Sequence, residues 1–183
     1  MTYSLPFKTS LLFAALLSLS AAQSATIAKA DYSAGKTNIT AQYKTDKAAC
    51  TSLAANAKDV CMEEAKGKEK VARAELEYSY SGKPNDATKV REAKVDATYT
   101  VAKEKCDDLA GNSKDVCVSE SKAVRTKGMA NAKMNQEIGE AKMDANQVKR
   151  DADYKVSIEK CDALAGNAKT ACVASAKSTF GKT

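Results

Sequence analysis

The residues of this chain whose type and spacing could do chemistry are six cysteines arranged in three pairs, Cys50 with Cys61, Cys106 with Cys117 and Cys161 with Cys172, each written C-x10-C. Three chemistries compete for such pairs. A zinc site wants cysteines two to four residues apart, usually with histidine beside them, and the chain has no histidine. A reactive dithiol of the thioredoxin kind wants C-x-x-C, which is absent too. A structural disulfide remains, and the expected site residues are these six cysteines as three staples, with no metal among them.

The other candidates fail on their own chemistry. Gly35-Lys36-Thr37 and Gly181-Lys182-Thr183 end like a phosphate-binding loop, but the glycine needed five residues earlier is Ala30 or Ala176. Asp151-Ala152-Asp153 starts like a calcium loop, yet its sixth position is Val156 instead of glycine and its twelfth is Asp162 instead of glutamate. Without histidine, acid and base work would fall to carboxylates, lysine or tyrosine, and none sits in an apolar run that would shift its pKa. The expectation is a chain with no catalytic residues, no cofactor and no enzymatic activity.

The elements that position the cysteines can be read from the units around them. Cys50-Thr-Ser-Leu-Ala-Ala-Asn-Ala-Lys-Asp-Val-Cys61, Cys106-Asp-Asp-Leu-Ala-Gly-Asn-Ser-Lys-Asp-Val-Cys117 and Cys161-Asp-Ala-Leu-Ala-Gly-Asn-Ala-Lys-Thr-Ala-Cys172 recur at intervals of 56 and 55 residues. Each has a tyrosine, Tyr43, Tyr99 or Tyr154, seven residues before its first cysteine. This is an internal triplication. On one unbroken helix, residues eleven apart lie about 16 Å apart along the axis, too far for a disulfide. A turn must come between them. Gly111 and Gly166 suit the left-handed residue that ends a helix, and Asn112 and Asn167 suit the cap of the next, with Asp115 placed for a capping box. Six cysteines allow fifteen pairings, and the triplication favours the three local ones. Each would close a loop of about twelve residues and contribute about 3 kcal/mol on the chain-entropy estimate. In the first unit Ala55 replaces glycine, so that turn should be looser by about 1 kcal/mol.

Residues 1–24 read as a cleaved secretory signal: Lys8, the apolar run Leu11 to Leu19, then Ser20-Ala21-Ala22. Export explains paired cysteines, because thiols oxidise outside the cytosol, so the expected location is periplasmic or secreted. The apolar run is too short to span a bilayer comfortably, and no transmembrane segment is expected. The whole chain carries +6 at pH 7, or +5 once Lys8 leaves with the signal. Charges of both signs are interspersed, unlike the concentrated basic face of a nucleic-acid protein. Nucleic-acid binding is therefore not expected, while weak association with anionic surfaces stays open.

From residue 25 onward, Leu, Ile, Val and Phe make up only 20 residues, against 30 alanines. Alanine, lysine and glutamate are strong helix formers, so the fold class is all-α, thinly cored and dependent on its staples. Helices are expected at about 28–54, 57–79, 86–110, from 113 for about fifty residues, and at 168–178. Val95, Tyr99, Ala102, Cys106 and Leu109 step like a heptad seam, while Ile39, Tyr43, Cys50 and Leu53 recur at helical spacing on one stripe with only Asp46 out of place. The repeated tyrosine is expected on that seam with its hydroxyl at the edge, and Glu64/Lys68 and Glu69/Arg73 are placed for helical ion pairs. Three hairpin units follow: 25–81, 85–139 and 140–183. Ser81-Gly82-Lys83-Pro84-Asn85 is the strongest breaker. Two bundles of antiparallel helical hairpins fit. In the favoured one, long rods place the first and third stapled turns at one end and the second at the other. In its rival, Pro84 and Gly139 are both turns.

The pattern Tyr-x6-Cys-Asp-x-Leu-Ala-Gly-Asn-x-Lys-x-x-Cys-Val, at Tyr99–Val118 and Tyr154–Val173, resembles the repeat of exported Ala/Lys-rich proteins of Gram-negative bacteria. These are uncharacterised and sometimes labelled TolA-like or as cell-envelope-biogenesis proteins. The resemblance carries no established activity. The expected function is that of a non-enzymatic periplasmic helical protein of the cell envelope, structural, scaffolding or stress-related, with an unidentified protein partner there. The alternative is a thiol-based redox or metal-responsive protein.

Overall fold

Because nearly every residue favours helix, the architecture is decided where the chain stops being helical. The structure is a computed structural model and describes residues 26–182; the signal expected over 1–24 and the terminal Thr183 lie outside them. Among the described residues the elements are α1 (Lys29–Ala49), α2 (Ala55–Ser81), α3 (Pro84–Lys105), α4 (Gly111–Asp162) and α5 (Gly166–Phe180), with single 3-10 turns at Cys50–Ser52 and Cys106–Asp108. The fold is all-α and carries three disulfides, Cys50–Cys61, Cys106–Cys117 and Cys161–Cys172.

Three of the four interruptions are the stapled turns, and they share one geometry. After the first cysteine the chain tightens until the N–H of Leu53, Leu109 or Leu164 donates to the carbonyl of Cys50, Cys106 or Cys161 at 3.0–3.1 Å. Ala54, Ala110 and Ala165 are extended. Ala55, Gly111 and Gly166 then take φ of +50°, +57° and +56°. This corrects the expected division of labour. The left-handed residue does not close the earlier helix; it opens the later one. Asn112 and Asn167 consequently lie inside the first turn of their helices, where no side chain caps α4 or α5. The physical reason is the extended Leu-Ala step, which spans the gap between the arms before glycine is reached. It also ends the third helix at Lys105 instead of Ala110.

The fourth interruption is at Gly82, with φ +63° and its N–H bonded to Tyr78 O at 2.8 Å. Lys83 is extended, as the residue before a proline must be, and Pro84 is the first residue of α3, where its missing N–H costs nothing. No such reversal occurs at Gly139, which lies within α4 with nothing within 4 Å of where a Cβ would be. A glycine alone costs a helix only about 1 kcal/mol. Neither expected arrangement is therefore complete: Pro84 makes a turn, and α4 continues for 52 residues, about 78 Å. The first and second stapled turns lie together at one end, where Asn56 Nδ2 donates to Glu104 O at 3.1 Å. The third is at the far end of α4, which corrects the placement expected for long rods.

Each helix packs on its neighbours in sequence: α1 on α2, α2 on α3, α3 on the N-terminal part of α4, and α5 on its C-terminal end. Glycine lets the axes approach. A Cβ on Gly67 would meet Ala97 Cβ at 2.9 Å, and one on Gly128 would meet Val95 Cγ2 at 2.8 Å. Ion pairs fix the register across the arms, as with Arg125 Nε and Asp96 Oδ1 at 2.6 Å and Lys182 Nζ and Asp151 Oδ1 at 2.7 Å. A serial arrangement of this kind has little interior. The largest fully buried side chains among the described residues are Cys50, Cys106 and Cys161. Between the two packed ends of α4, every residue from Glu140 to Arg150 is exposed.

Candidate functional site

The stapled tips are the feature this chain repeats, and each can be built from its residues upward. The disulfides hold the arms with Cα atoms 5.6, 5.7 and 5.6 Å apart, within the range a relaxed bridge requires. The first cysteine of each pair is buried and the second is half-buried. At the second tip, Ser121 Oγ donates to Cys117 O at 2.9 Å and lies 3.8 Å from Cys106 Sγ, so its hydroxyl is satisfied although it is buried.

The lysine shared by the units has a structural duty in two of them. Lys114 Nζ lies 2.8 Å from Asp107 Oδ1, and Lys169 Nζ lies 2.9 Å from Asp162 Oδ1, each closing the turn behind its disulfide. The hydrogen bond between Lys114 and Asp107 lowers the Asp107 pKa and raises that of Lys114. In the first unit Thr51 takes the place of this aspartate.

The shared leucine is different. Leu53, Leu109 and Leu164 are 42%, 43% and 43% exposed. The heptad reading placed Leu53 and Leu109 on the packed stripe. That reading is corrected, because the α-helices end four residues earlier, at Ala49 and Lys105, and the extended step leaves these side chains exposed. Each tip thus displays the same apolar residue, left a little over 40% exposed.

The tyrosines Tyr43, Tyr99 and Tyr154 are half-buried between arms. Arg125 lies 5.3 Å from the centre of the Tyr99 ring and Lys182 lies 5.9 Å from that of Tyr154, while Phe180 meets Tyr154 edge-on. Of the expected helical ion pairs, Glu69 and Arg73 pair at 2.7 Å. Glu64 faces Lys105 of α3 at 3.8 Å instead of Lys68.

Other features were missed in the sequence. An open groove of about 650 Å³ lies between α2 and α3, floored by Gly67, Val71, Ala97 and Val101, and Glu75 reaches Lys94 across it at 2.7 Å. Its floor is small and apolar because close helix approach needs small residues on both sides, a signal visible only once the two helices are paired. Tyr32 stacks on Tyr80 at 4.4 Å and donates from its hydroxyl to Glu77 Oε2 at 2.6 Å. That bond to a carboxylate raises the Tyr32 pKa. At the Gly82 turn, Asp86 is 6% exposed and accepts from Lys89 Nζ at 2.8 Å and Ser81 Oγ at 2.6 Å. Those two bonds, Lys89 first, hold its pKa below the ordinary value.

Among the described residues there is no cluster of three or more potential metal-ligating side chains. No described helix is long and apolar enough to cross a membrane. Comparison with known proteins returns nothing to set beside these features: no family model, no curated protein and no solved structure matches the chain.

Proposed function

We infer that this protein is a non-enzymatic helical scaffold of the bacterial periplasm, which holds docking tips for an envelope protein at fixed spacing. Three disulfides are consistent with an oxidising, extracytoplasmic compartment. The likeness of Tyr99–Val118 and Tyr154–Val173 to exported Cys-repeat proteins supports the narrower assignment to the periplasm.

The observation that carries the reading is the leucine at each tip. A leucine that recurs in all three units and keeps over 40% of its surface exposed offers each tip the same apolar contact, and that recurrence supports the reading. The staples hold that leucine in one backbone geometry, which lowers the conformational entropy lost on docking. Two tips lie together and the third about 66 Å along α4, so the chain has the reach to gather sites on one assembly.

The test is crosslinking in cells from photoreactive residues placed beside Leu53, Leu109 and Leu164, compared with a chain in which all three are alanine. A crosslinked envelope protein that disappears in the triple variant is the expected result. An unchanged crosslinking profile would remove the basis of the reading. Thiol counting on periplasmic protein separates the redox or metal-responsive alternative, which requires free, reducible cysteines, from a scaffold with none.

A further inference from the structure

We propose that α4 pairs with α4 of a second copy as a parallel two-stranded coiled coil through the stripe Asn131, Met134, Ile138, Ala141, Ala145, Val148 and Ala152. These residues step by three and four, so they fall at successive a and d positions of three heptads, with Asn131, Ile138, Ala145 and Ala152 at a. Lys127 and Lys155 occupy the d positions on either side and end the seam.

The structure leaves this stripe uncovered. All seven residues are exposed, with Met134, Ile138 and Val148 at 48%, 44% and 69%. The contacts of α4 are on its other side. Gly128 faces Val95 of α3, Gln136 reaches Asn85, and Tyr154 and Asp151 meet Phe180 and Lys182 at the end of α5. At about 100° per residue these positions centre on the face opposite the stripe. A second helix can lie along it without displacing α3 or α5.

Charge beside the seam identifies the occupant. One flank carries Glu137 and Asp144, and the other carries Lys142 and Lys149. In a parallel, in-register pair the g residue of one helix faces the e residue five positions on in its partner. Glu137 then meets Lys142 and Asp144 meets Lys149, twice over by symmetry. An antiparallel pair would set acid against acid and Lys142 against its own copy. Asp144, Lys142 and Lys149 form no ion pair among the described residues and are free to do this. Glu137 has only a loose contact, 3.9 Å from Lys133. A branched residue at a (Ile138) and an amide at a (Asn131) both favour two strands in fixed register, and the alanines allow close approach of the axes.

Sedimentation of the oxidised chain over a concentration series should show a reversible monomer–dimer equilibrium. Ile138→Lys should leave a monomer with unchanged circular dichroism. Met134→Cys should crosslink to its own copy on mild oxidation, because parallel pairing sets the two positions side by side; antiparallel pairing would separate them by about 22 Å. Glu137→Lys with Asp144→Lys, and Lys142→Glu with Lys149→Glu, should each dimerise poorly alone and recover when mixed. A chain that stays monomeric at several hundred micromolar refutes the proposal. So does a dimer indifferent to Ile138→Lys, or one that Met134→Cys cannot crosslink.

Discussion

Replacing Cys161 and Cys172 together by alanine tests the view that the staples stand in for a core. The bridge closes a loop of about twelve residues, and its removal returns to the open chain about 3 kcal/mol of conformational freedom. Little else holds α5 down. Its fifteen residues are too few for a stable isolated helix, and it keeps one buried residue, Ala176, the edge contact of Phe180 with Tyr154, and two ion pairs, Lys169–Asp162 and Lys182–Asp151. The helix should therefore open as a local unit. Native-state hydrogen exchange is the assay: amides from 166 to 180 should lose about a hundredfold in protection, while those of α2 and α3 keep theirs. The same double change at Cys106 and Cys117 should not free one helix alone, because Gly128 against Val95, Arg125 with Asp96 and Gln136 with Asn85 still join α3 to α4. Undiminished protection in α5, or an equal loss in α2, would show that the staples are not what holds the arms.

Gly67→Ala should lower the unfolding free energy by about 1 kcal/mol, read as a lower urea midpoint, since overpacking against Ala97 outweighs the gain in helix propensity. Gly139→Ala, which meets open space, should raise the unfolding free energy by about 0.5–1 kcal/mol. Ala55→Gly should stabilise the first tip by about 1 kcal/mol by relieving a left-handed alanine, read as a higher melting temperature of the oxidised protein. Asp86 should titrate by NMR below its ordinary 3.8. Because its folded pKa is lowered, its contribution to stability is complete above 3.8 and disappears as pH falls through the lowered value. Asp86→Asn should remove that part of the acid dependence.

What the sequence made legible was set by spacing. The all-helical composition and the intervals from Cys50 to Cys61, Cys106 to Cys117 and Cys161 to Cys172 were enough to require turns and local bridges. The position of each reversal inside its unit was not legible, because Leu109-Ala110 carries no signal for extended backbone and Gly111 suits either side of a turn. The fate of Pro84 and Gly139 turned on energies that differ severalfold. A proline that withdraws an N–H and constrains Lys83 outweighs a helical glycine, and a pattern reading that treats both as breakers cannot rank them. The α2–α3 groove depends on those two helices becoming neighbours, and that followed only from the turn at Gly82; the Tyr32–Tyr80 stack lies between α1 and α2, whose pairing the first staple requires but whose facing side chains it does not name.

The strictly serial packing also bears on how the chain reaches its oxidised form. Every bridge joins a cysteine to the next one along, so in a chain made from its N-terminus the right partner is always the first to arrive. Two cysteines so close in sequence meet in well under a microsecond, so whenever an oxidant supplies the slower chemical step the local partner is the one most often in reach. Local pairs should therefore predominate, and maturation should lean on an oxidant more than on an isomerase.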